Sequence, residues 1–404
     1  MYLDNYKKEE CTGCEACANI CPKHAITMEE DEEGFRYPII DSSICVSCNL
    51  CRSICPQTVS PVRYKNDKVA FGGYVKDLEA LASSTSGGAF SALVKAYNPD
   101  YVFGAEADGL IVKHSYIKNA ESIDKYRQSK YSQSQIGTAY NDVKSFLKKG
   151  NTVLFSGTPC QIAGLKKITG ENGNLLTIEV ICEGVPSPLF IRKYNDFLTK
   201  KYRSSIYSID YRFKCLKTRK NSHSGKWDFE VMRIQLNNKR TIFKDRWFNP
   251  FWSIWLGHLM SRPSCYYCKY ASTARTADIT LGDLWGVHLY CPELYNNNAG
   301  ASLIVCNTEK GKEILNLAIN DLEGHILDFQ KALKYQGPLR KTIDTNINRS
   351  LFMEDLKSEM PYKRIVKKWA KRPSLELLFR KYIWGNRQKV FIWKIFNSKE
   401  NNND

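Results

Sequence analysis

The stretch Cys11-Thr12-Gly13-Cys14-Glu15-Ala16-Cys17-Ala18-Asn19-Ile20-Cys21-Pro22 carries four cysteines in a C-x2-C-x2-C-x3-C run closed by a proline. A second stretch repeats it: Cys45, Cys48, Cys51 and Cys55 have the same spacing, lie 34 residues further on and are followed by Pro56. Soft thiolate ligands in this arrangement suit cubane iron–sulfur clusters. In paired runs the fourth cysteine of each ligates the cluster of the other. One cubane is therefore expected on Cys11, Cys14, Cys17 and Cys55, the other on Cys45, Cys48, Cys51 and Cys21. Crossed ligation makes the two halves pack together, and a chain with two adjacent clusters moves electrons one at a time.

Structural zinc usually takes paired C-x2-C units rather than four cysteines in so short a run. Disulfides would need an oxidising compartment, and Met1 to Glu10 is polar and charged, unlike a signal peptide. The expectation is a bacterial ferredoxin-like head with two [4Fe–4S] clusters, in a reducing cytoplasm. The full 404 residues exceed one typical domain. Their 43% hydrophobic content suits a chain that buries a core. No run approaches the ~18 apolar residues of a membrane span.

Three parts are expected: a cluster domain over 1–60, a mixed α/β domain over 61–345 and a basic, aromatic, helical tail over 346–404. Ser60-Pro61-Val62 reads as the linker exit. Beyond it, short apolar runs suited to buried strands (Tyr101–Ala105, Thr152–Ser156, Leu175–Cys182 and Ser302–Asn307) alternate with helical stretches near Ala89–Tyr97, Ala139–Lys149, Gln161–Lys167 and Leu189–Lys201. That alternation argues a sheet flanked by helices. Tyr207–Phe213 and Phe229–Leu236 read as an added antiparallel pair, and Asn401–Asn403 as a disordered end.

Two loops stand at helix starts. Ser83-Ser84-Thr85-Ser86-Gly87-Gly88 precedes Ala89-Phe90, and either a flexible helix cap or a phosphate cradle fits it. Phe155-Ser156-Gly157-Thr158-Pro159-Cys160-Gln161 joins a strand to a helix, with Pro159 suited to the first turn and Cys160 at the helix N-terminus, where a thiolate is stabilised. Such junctions are where open α/β sheets bind ligands. Cys182 ends a strand, and Cys265 and Cys268 form a C-x2-C that fits zinc, a redox pair or half a cluster site. With Cys160 and Cys182 it completes four ligands for a third cubane. Cys215, Cys291 and Cys306 read as ordinary residues.

Several segments, in order, resemble the coenzyme F420 hydrogenase/dehydrogenase beta-subunit family. They are Ser86-Gly87-Gly88, Ser129-Lys130-Tyr131, Gly157 to Leu165, Ile181 to Pro188, Cys265-Tyr266-Tyr267-Cys268 and Ala277 to Gly286, together covering roughly residues 70–310. The resemblance implies a flavin-binding domain that uses FAD beside a cubane. It would put Ser86, Gly87, Gly88, Ser129, Lys130, Gly157 and Thr158 at the FAD, and Cys160, Cys182, Cys265 and Cys268 at the cluster. No role follows for Asp283-Leu284-Trp285-Gly286, and no segment marks a deazaflavin pocket. Members with a two-cluster head and a basic tail resemble the set associated with exopolysaccharide and capsule biosynthesis.

The net charge is +17, and from Pro361 to Asp404 twelve Lys or Arg face three Asp or Glu. Those charges are interleaved with Tyr362, Trp369, Phe379, Tyr382, Trp384, Phe391 and Trp393. An amphipathic helix packed on the body and one lying on an anionic membrane both fit. Nothing else resembles a nucleic-acid module. The sequence reads as an iron–sulfur flavin-dependent oxidoreductase linking one- and two-electron carriers. The alternative is a non-catalytic electron-transfer subunit docking on a membrane-associated partner enzyme. No general acid–base pair stands out, so no catalytic residue is assigned.

Overall fold

The architecture comes from a computed structural model that describes residues 1–58, 63–64, 68–120, 122–214, 231–295 and 299–400. Ser60-Pro61-Val62, Cys215, Phe229 and Asn401–Asn403 lie outside them. The described strands, in chain order, are β1 (Ile26–Glu30), β2 (Arg36–Ile40), β3 (Val69–Val75), β4 (Tyr101–Asp108), β5 (Ile111–Lys118), β6 (Val153–Gly157), β7 (Leu175–Val180), β8 (Ile206–Phe213), β9 (Val231–Leu236), β10 (Thr241–Asp245), β11 (Ile279–Asp283), β12 (Ser302–Cys306) and β13 (Leu322–Leu327).

The N-terminal part is a small α+β unit. β1 and β2 form an antiparallel hairpin, and each cysteine run winds through a single short helix, Ala16–Ile20 or Leu50–Ser53. Helices this short follow from the ligand spacing, which leaves few residues free between cysteines. The hairpin docks on the body through Glu33, whose carboxylate accepts from Arg349 Nη2 at 2.6 Å and whose carbonyl accepts from Ser187 Oγ at 2.6 Å.

The body is an eight-stranded mixed sheet in the order β13-β3-β12-β11-β7-β6-β4-β5. Its middle, β4-β6-β7-β11, is parallel, and both flanks are antiparallel. Parallel strands covered on both faces read as near-continuous apolar runs. Accordingly Val153, Leu154, Phe155 and Leu176 are fully buried. A second sheet, β10-β9-β8, packs with helices Pro188–Tyr202, Pro250–Leu256 and Arg349–Lys357 around Phe190, Phe251 and Phe352.

β3, β5, β11 and β13 are strands that the apolar pattern of the sequence does not mark. β3 carries Gly72 and Gly73, which dilute its apolar pattern; edge strand β5 exposes alternate residues, and edge strand β13 carries Gly324 and exposes Glu323, His325 and Ile326. β11 is visible in the sequence only as part of a family signature.

Polar groups at the sheet's centre form one network around a buried ion pair. Glu179, wholly buried in β7, is paired with Arg275 Nε and accepts from Thr276 Oγ1 at 2.9 Å and Thr280 Oγ1 at 2.9 Å. Arg275 Nη1 also donates to the carbonyls of Tyr270 (2.7 Å) and Ser272 (3.1 Å), which fixes the loop after Cys268. Removing one partner of such a pair strands a buried charge. Arg275→Met should therefore lose about 3–5 kcal/mol in urea unfolding of the anaerobic full chain. The double change Arg275→Met with Glu179→Leu should recover most of that loss. A single-variant loss below about 1 kcal/mol would show the pair to be dispensable.

Candidate iron–sulfur site

Cys11, Cys14, Cys17 and Cys55 line one cavity, closed by Met1, Tyr2 and Pro38. The fourth cysteine of the second run thus joins the first three of the first run. In the other direction Cys51 lies within electrostatic reach of Cys21, and both pack on the same small core around Phe35 and Tyr37. Burial pushes the Cys17 thiol well above its ordinary value, and Cys14, Cys11 and Cys55 add to this. Thiolates so gathered are tenable when a metal supplies the opposing charge. Backbone amides already aim at sulfur: Gly13 N donates to Cys11 Sγ at 3.4 Å and Ala25 N to Cys21 Sγ at 3.3 Å. The donor set and the gathering fit cubanes. Cys45 and Cys48 are exposed, Cys51 and Cys55 half-buried, and Cys14 buried.

The body's four cysteines also converge. Cys160, Cys182, Cys265 and Cys268 line a single cavity together with Thr158, Gly184 and Tyr270. Cys160 sits in the first turn of helix Pro159–Thr169, just beyond the C-terminal end of β6. Cys182 follows β7, Cys265 lies within the short 3-10 turn Pro263–Tyr267 and Cys268 closes it. Burial raises Cys160 to about 11 and Cys265 to about 12. Gly184 N donates to Cys182 Sγ at 3.4 Å, and Thr158 Oγ1 lies 3.2 Å from Cys160 Sγ. These four soft donors fit a cubane by the same test.

Between the two quartets stands Arg262, 1% exposed. Its Nε donates to Cys11 O at 2.9 Å, its Nη2 to Arg36 O at 3.0 Å and its Nη1 to Gln133 Oε1 at 3.1 Å; Nη2 is 3.8 Å from Cys11 Sγ. Gln133 Nε2 in turn donates to the Thr12 and Gly13 carbonyls at 2.6 and 3.1 Å. Gly13 is required here: its φ is +67°, and a Cβ would lie 2.9 Å from both Arg262 Nη1 and Gln133 Nε2. Burial works against the guanidinium's charge, but the acids Cys11, Tyr37, Cys265 and Cys160 outweigh it and push its pKa up. Arg262 carries no assignment from the sequence. Its one signal is its place three residues before a C-x2-C.

The residues expected at a flavin fall into two groups. Ser86, Gly87 and Gly88 precede helix Ala89–Tyr97, and a Cβ on Gly87 would lie 2.4 Å from Gly73 O, so close packing on the sheet demands glycine there. Ser129 N donates to Thr85 Oγ1 at 2.7 Å, which ties the second segment to the first. Ser86 Oγ donates to Ala301 O at 2.7 Å. Lys130 Nζ donates to the Arg127 and Lys125 carbonyls at 2.6 and 2.9 Å, and burial pulls its pKa to about 8. Gly157 and Thr158 lie at the Cys160 quartet instead, where Thr158 N donates to Gln161 Oε1 at 3.0 Å.

Beside Ser86 lies a cation with no signal in the sequence. Lys214, 4% exposed, donates to Ser86 O and Ala299 O, each at 2.5 Å, and burial draws it down to about 7. Asp283 of the unassigned Asp283-Leu284-Trp285-Gly286 segment accepts from Arg212 Nη1 at 2.5 Å, and Arg212 lies over the Trp285 ring.

A buried cation between two sulfur quartets would favour the reduced, more negative state of a cluster held by either. Arg262→Met should lower the midpoint potentials of the Cys11 and Cys160 clusters in an EPR-monitored redox titration, and Arg262→Lys should lower them less. Unchanged potentials in Arg262→Met, with iron content intact, would sink this assignment.

Comparison with known proteins gives two family matches. Residues 10–59 match the 4Fe-4S dicluster domain, and residues 150–330 match the family described as the C terminus of the coenzyme F420 hydrogenase/dehydrogenase beta subunit. No curated protein matches the chain. Among solved structures, a chain of the F420-reducing [NiFe] hydrogenase complex from Methanosarcina barkeri is similar at 17% identity, over 76% of this chain and 93% of that one, with a TM-score of 0.41. That likeness is too loose to argue from. The two family matches, over regions that hold all twelve clustered cysteines, are the ground for the assignment. Residues 150–330 thus belong with the C terminus of the coenzyme F420 hydrogenase/dehydrogenase beta subunit and residues 10–59 with the 4Fe-4S dicluster domain, which makes the chain an iron–sulfur electron-transfer protein related to that family.

Proposed function

We propose that the chain is an iron–sulfur flavoprotein oxidoreductase that links a one-electron partner protein to a two-electron acceptor. On this reading residues 1–60 hold two cubanes, residues 61–345 hold a third cubane and FAD, and residues 346–404 form a basic tail. The observation that carries it is the convergence of Cys11, Cys14, Cys17 and Cys55 at one cavity and of Cys160, Cys182, Cys265 and Cys268 at another, with Cys45 and Cys48 exposed. The cavity of the last quartet includes both Thr12, between Cys11 and Cys14, and Thr158, on the loop expected at the flavin.

The clusters would supply one-electron exchange, and FAD, when bound, conversion between single electrons and pairs. The chain's residues support this division of labour. Exposed Ile44, Val46 and Leu50 surround Cys45 and Cys48, a rim suited to a partner's surface. Buried Tyr140, whose hydroxyl donates to Gln161 O at 2.8 Å, walls water from the Cys160 helix start. For FAD the fit rests on Lys214. Its buried amine stands directly beside the glycine-bearing helix start, on the Ser86 carbonyl, where it suits a diphosphate; Lys130 is held in the same manner by the carbonyls of its own loop.

The anaerobically purified full chain should contain about twelve irons, with matching sulfide, if all three quartets hold cubanes. It should also hold stoichiometric extractable flavin. Lys214→Gln should lose the flavin and keep the iron. A chain with full iron and no flavin after reconstitution would leave only an electron-transfer subunit, and eight irons would remove the third cluster.

A second reading, attachment to a membrane or a membrane-bound partner, rests on the tail. Helix Tyr362–Trp369 is committed to the body: Ile365 is fully buried, Tyr362 stacks on Tyr194 at 5.0 Å, and Trp369 Nε1 donates to Asp355 at 2.7 Å. Helices Leu375–Tyr382 and Asn386–Glu400 instead expose Leu375, Phe379, Phe391 and Phe396, and Ile383 and Trp384 are exposed between them. Among the described residues no helix is long and apolar enough to cross a membrane. Polybasic segments gain about 1 kcal/mol per basic residue at an anionic surface, and salt screens that gain. The full chain should sediment with anionic liposomes at low salt and less so at high salt. A chain ending at Arg372, which keeps the packed helix, should lose this binding. Equal sedimentation of the two would refute a membrane role for the last two helices.

A further inference from the structure

Away from the cluster sites, three metal-ligating side chains meet at the edge of the sheet. Cys291 closes the short helix Val287–Tyr290 and opens the turn Pro292–Leu294, which carries Glu293. His325 lies on edge strand β13. Cys291 Sγ is 3.0 Å from Glu293 Oε1 and 3.3 Å from His325 Nε2, and His325 Nε2 is 3.3 Å from Glu293 Oε1. We propose that Cys291, Glu293 and His325 form a zinc site with its fourth position open to water.

The donor chemistry is zinc's: one thiolate, one imidazole and one carboxylate, all within its usual ligand set. The triangle also fits. Tetrahedral zinc bonds of about 2.3 Å to sulfur and about 2.0–2.1 Å to nitrogen and oxygen hold such donors about 3.3–3.6 Å apart. Each observed edge is within about half an ångström of that range, a shift that small side-chain rotations supply. Position favours the same reading. Cys291 is buried among Leu284, Leu294 and Ala332, so sulfur enters from the protein side. His325 and Glu293 are each 47% exposed, so a metal could enter from solvent. His325 pairs in register with Gly72, which has no side chain to compete for the space beside the ring. A mutually hydrogen-bonded trio is the simpler alternative, but it gives no reason for a buried thiol and two solvent-facing groups to converge on one point. Zinc here would clamp the segment that follows Trp285 to edge strand β13, without touching the cysteines of the three quartets.

The test uses the full chain with its clusters assembled anaerobically, incubated with zinc chloride and dialysed. It should retain stoichiometric zinc beyond its iron, and X-ray absorption at the zinc edge should show one sulfur with nitrogen and oxygen neighbours. His325→Ala, on a half-exposed edge position, should lose that zinc with iron unchanged, and Cys291→Ala should do the same. Absence of retained zinc in the parent chain, zinc surrounded by four sulfurs, or undiminished zinc in His325→Ala would each overturn the proposal.

Discussion

The guanidinium of Arg262 is the contact on which the arrangement turns. A buried cation is costly without compensating charge and full hydrogen bonding. Here carbonyls from two chain segments and one glutamine oxygen satisfy its donors, while the surrounding acids are mainly cysteines. Anionic clusters on both sides would complete the compensation. The same group therefore joins the head to the body and makes head and body depend on the metal. Without iron the chain would carry a buried positive charge facing thiols that burial keeps protonated. Metal loading and docking of the head are thus expected to be one cooperative event rather than two.

That coupling explains where the body's own quartet sits. Cys160 and Cys182 lie just past the C-terminal ends of neighbouring parallel strands β6 and β7. This is the edge of an α/β sheet where helix starts and strand ends leave polar backbone groups free for ligands. Cys265 and Cys268 come from a distant loop, which the Glu179–Arg275 pair anchors to β7. A buried ion pair is weak support for stability as such. Its use here is positional, because it brings a remote C-x2-C to a strand-end pair.

The cluster cysteines were legible because metal spacing is a local property of sequence, and the parallel strands β4, β6 and β7 because burial on both faces leaves unbroken apolar runs. The third quartet was legible from a leftover C-x2-C together with one cysteine at a helix start and one at a strand end, a set that the family resemblance also implied. What stayed hidden was everything created by juxtaposition. Arg262 and Lys214 look like any other basic residues until the fold removes their water. Asp283 has no readable role until Arg212, 71 residues earlier in the chain, meets its carboxylate. Cys291 looks ordinary because its partner His325 arrives from the far edge strand, itself disguised by Gly324 and by the exposure of Glu323 and Ile326.

The tail shows how composition can mislead even when it is counted correctly. Its basic and aromatic residues form one sequence class, yet the fold divides them. Tyr362 and Trp369 are used up in the core around Phe190 and Phe352, beside buried Ile365, whereas Phe391 and Phe396 face outward. An aromatic residue that stacks on Tyr194 cannot also enter a bilayer, so any aromatic insertion by this segment must come from beyond Arg372. The charge does not follow this division: Lys368 pairs with Asp355 at 2.6 Å, but Lys363, Arg364 and Lys367 on the same packed helix stay exposed, and Arg380 beyond it pairs with Glu376 at 2.6 Å. What sets the two terminal helices apart is therefore not their charge but the large apolar side chains, Leu375, Phe379, Phe391 and Phe396, that stand exposed on them, so a surface role that needs apolar insertion rests there.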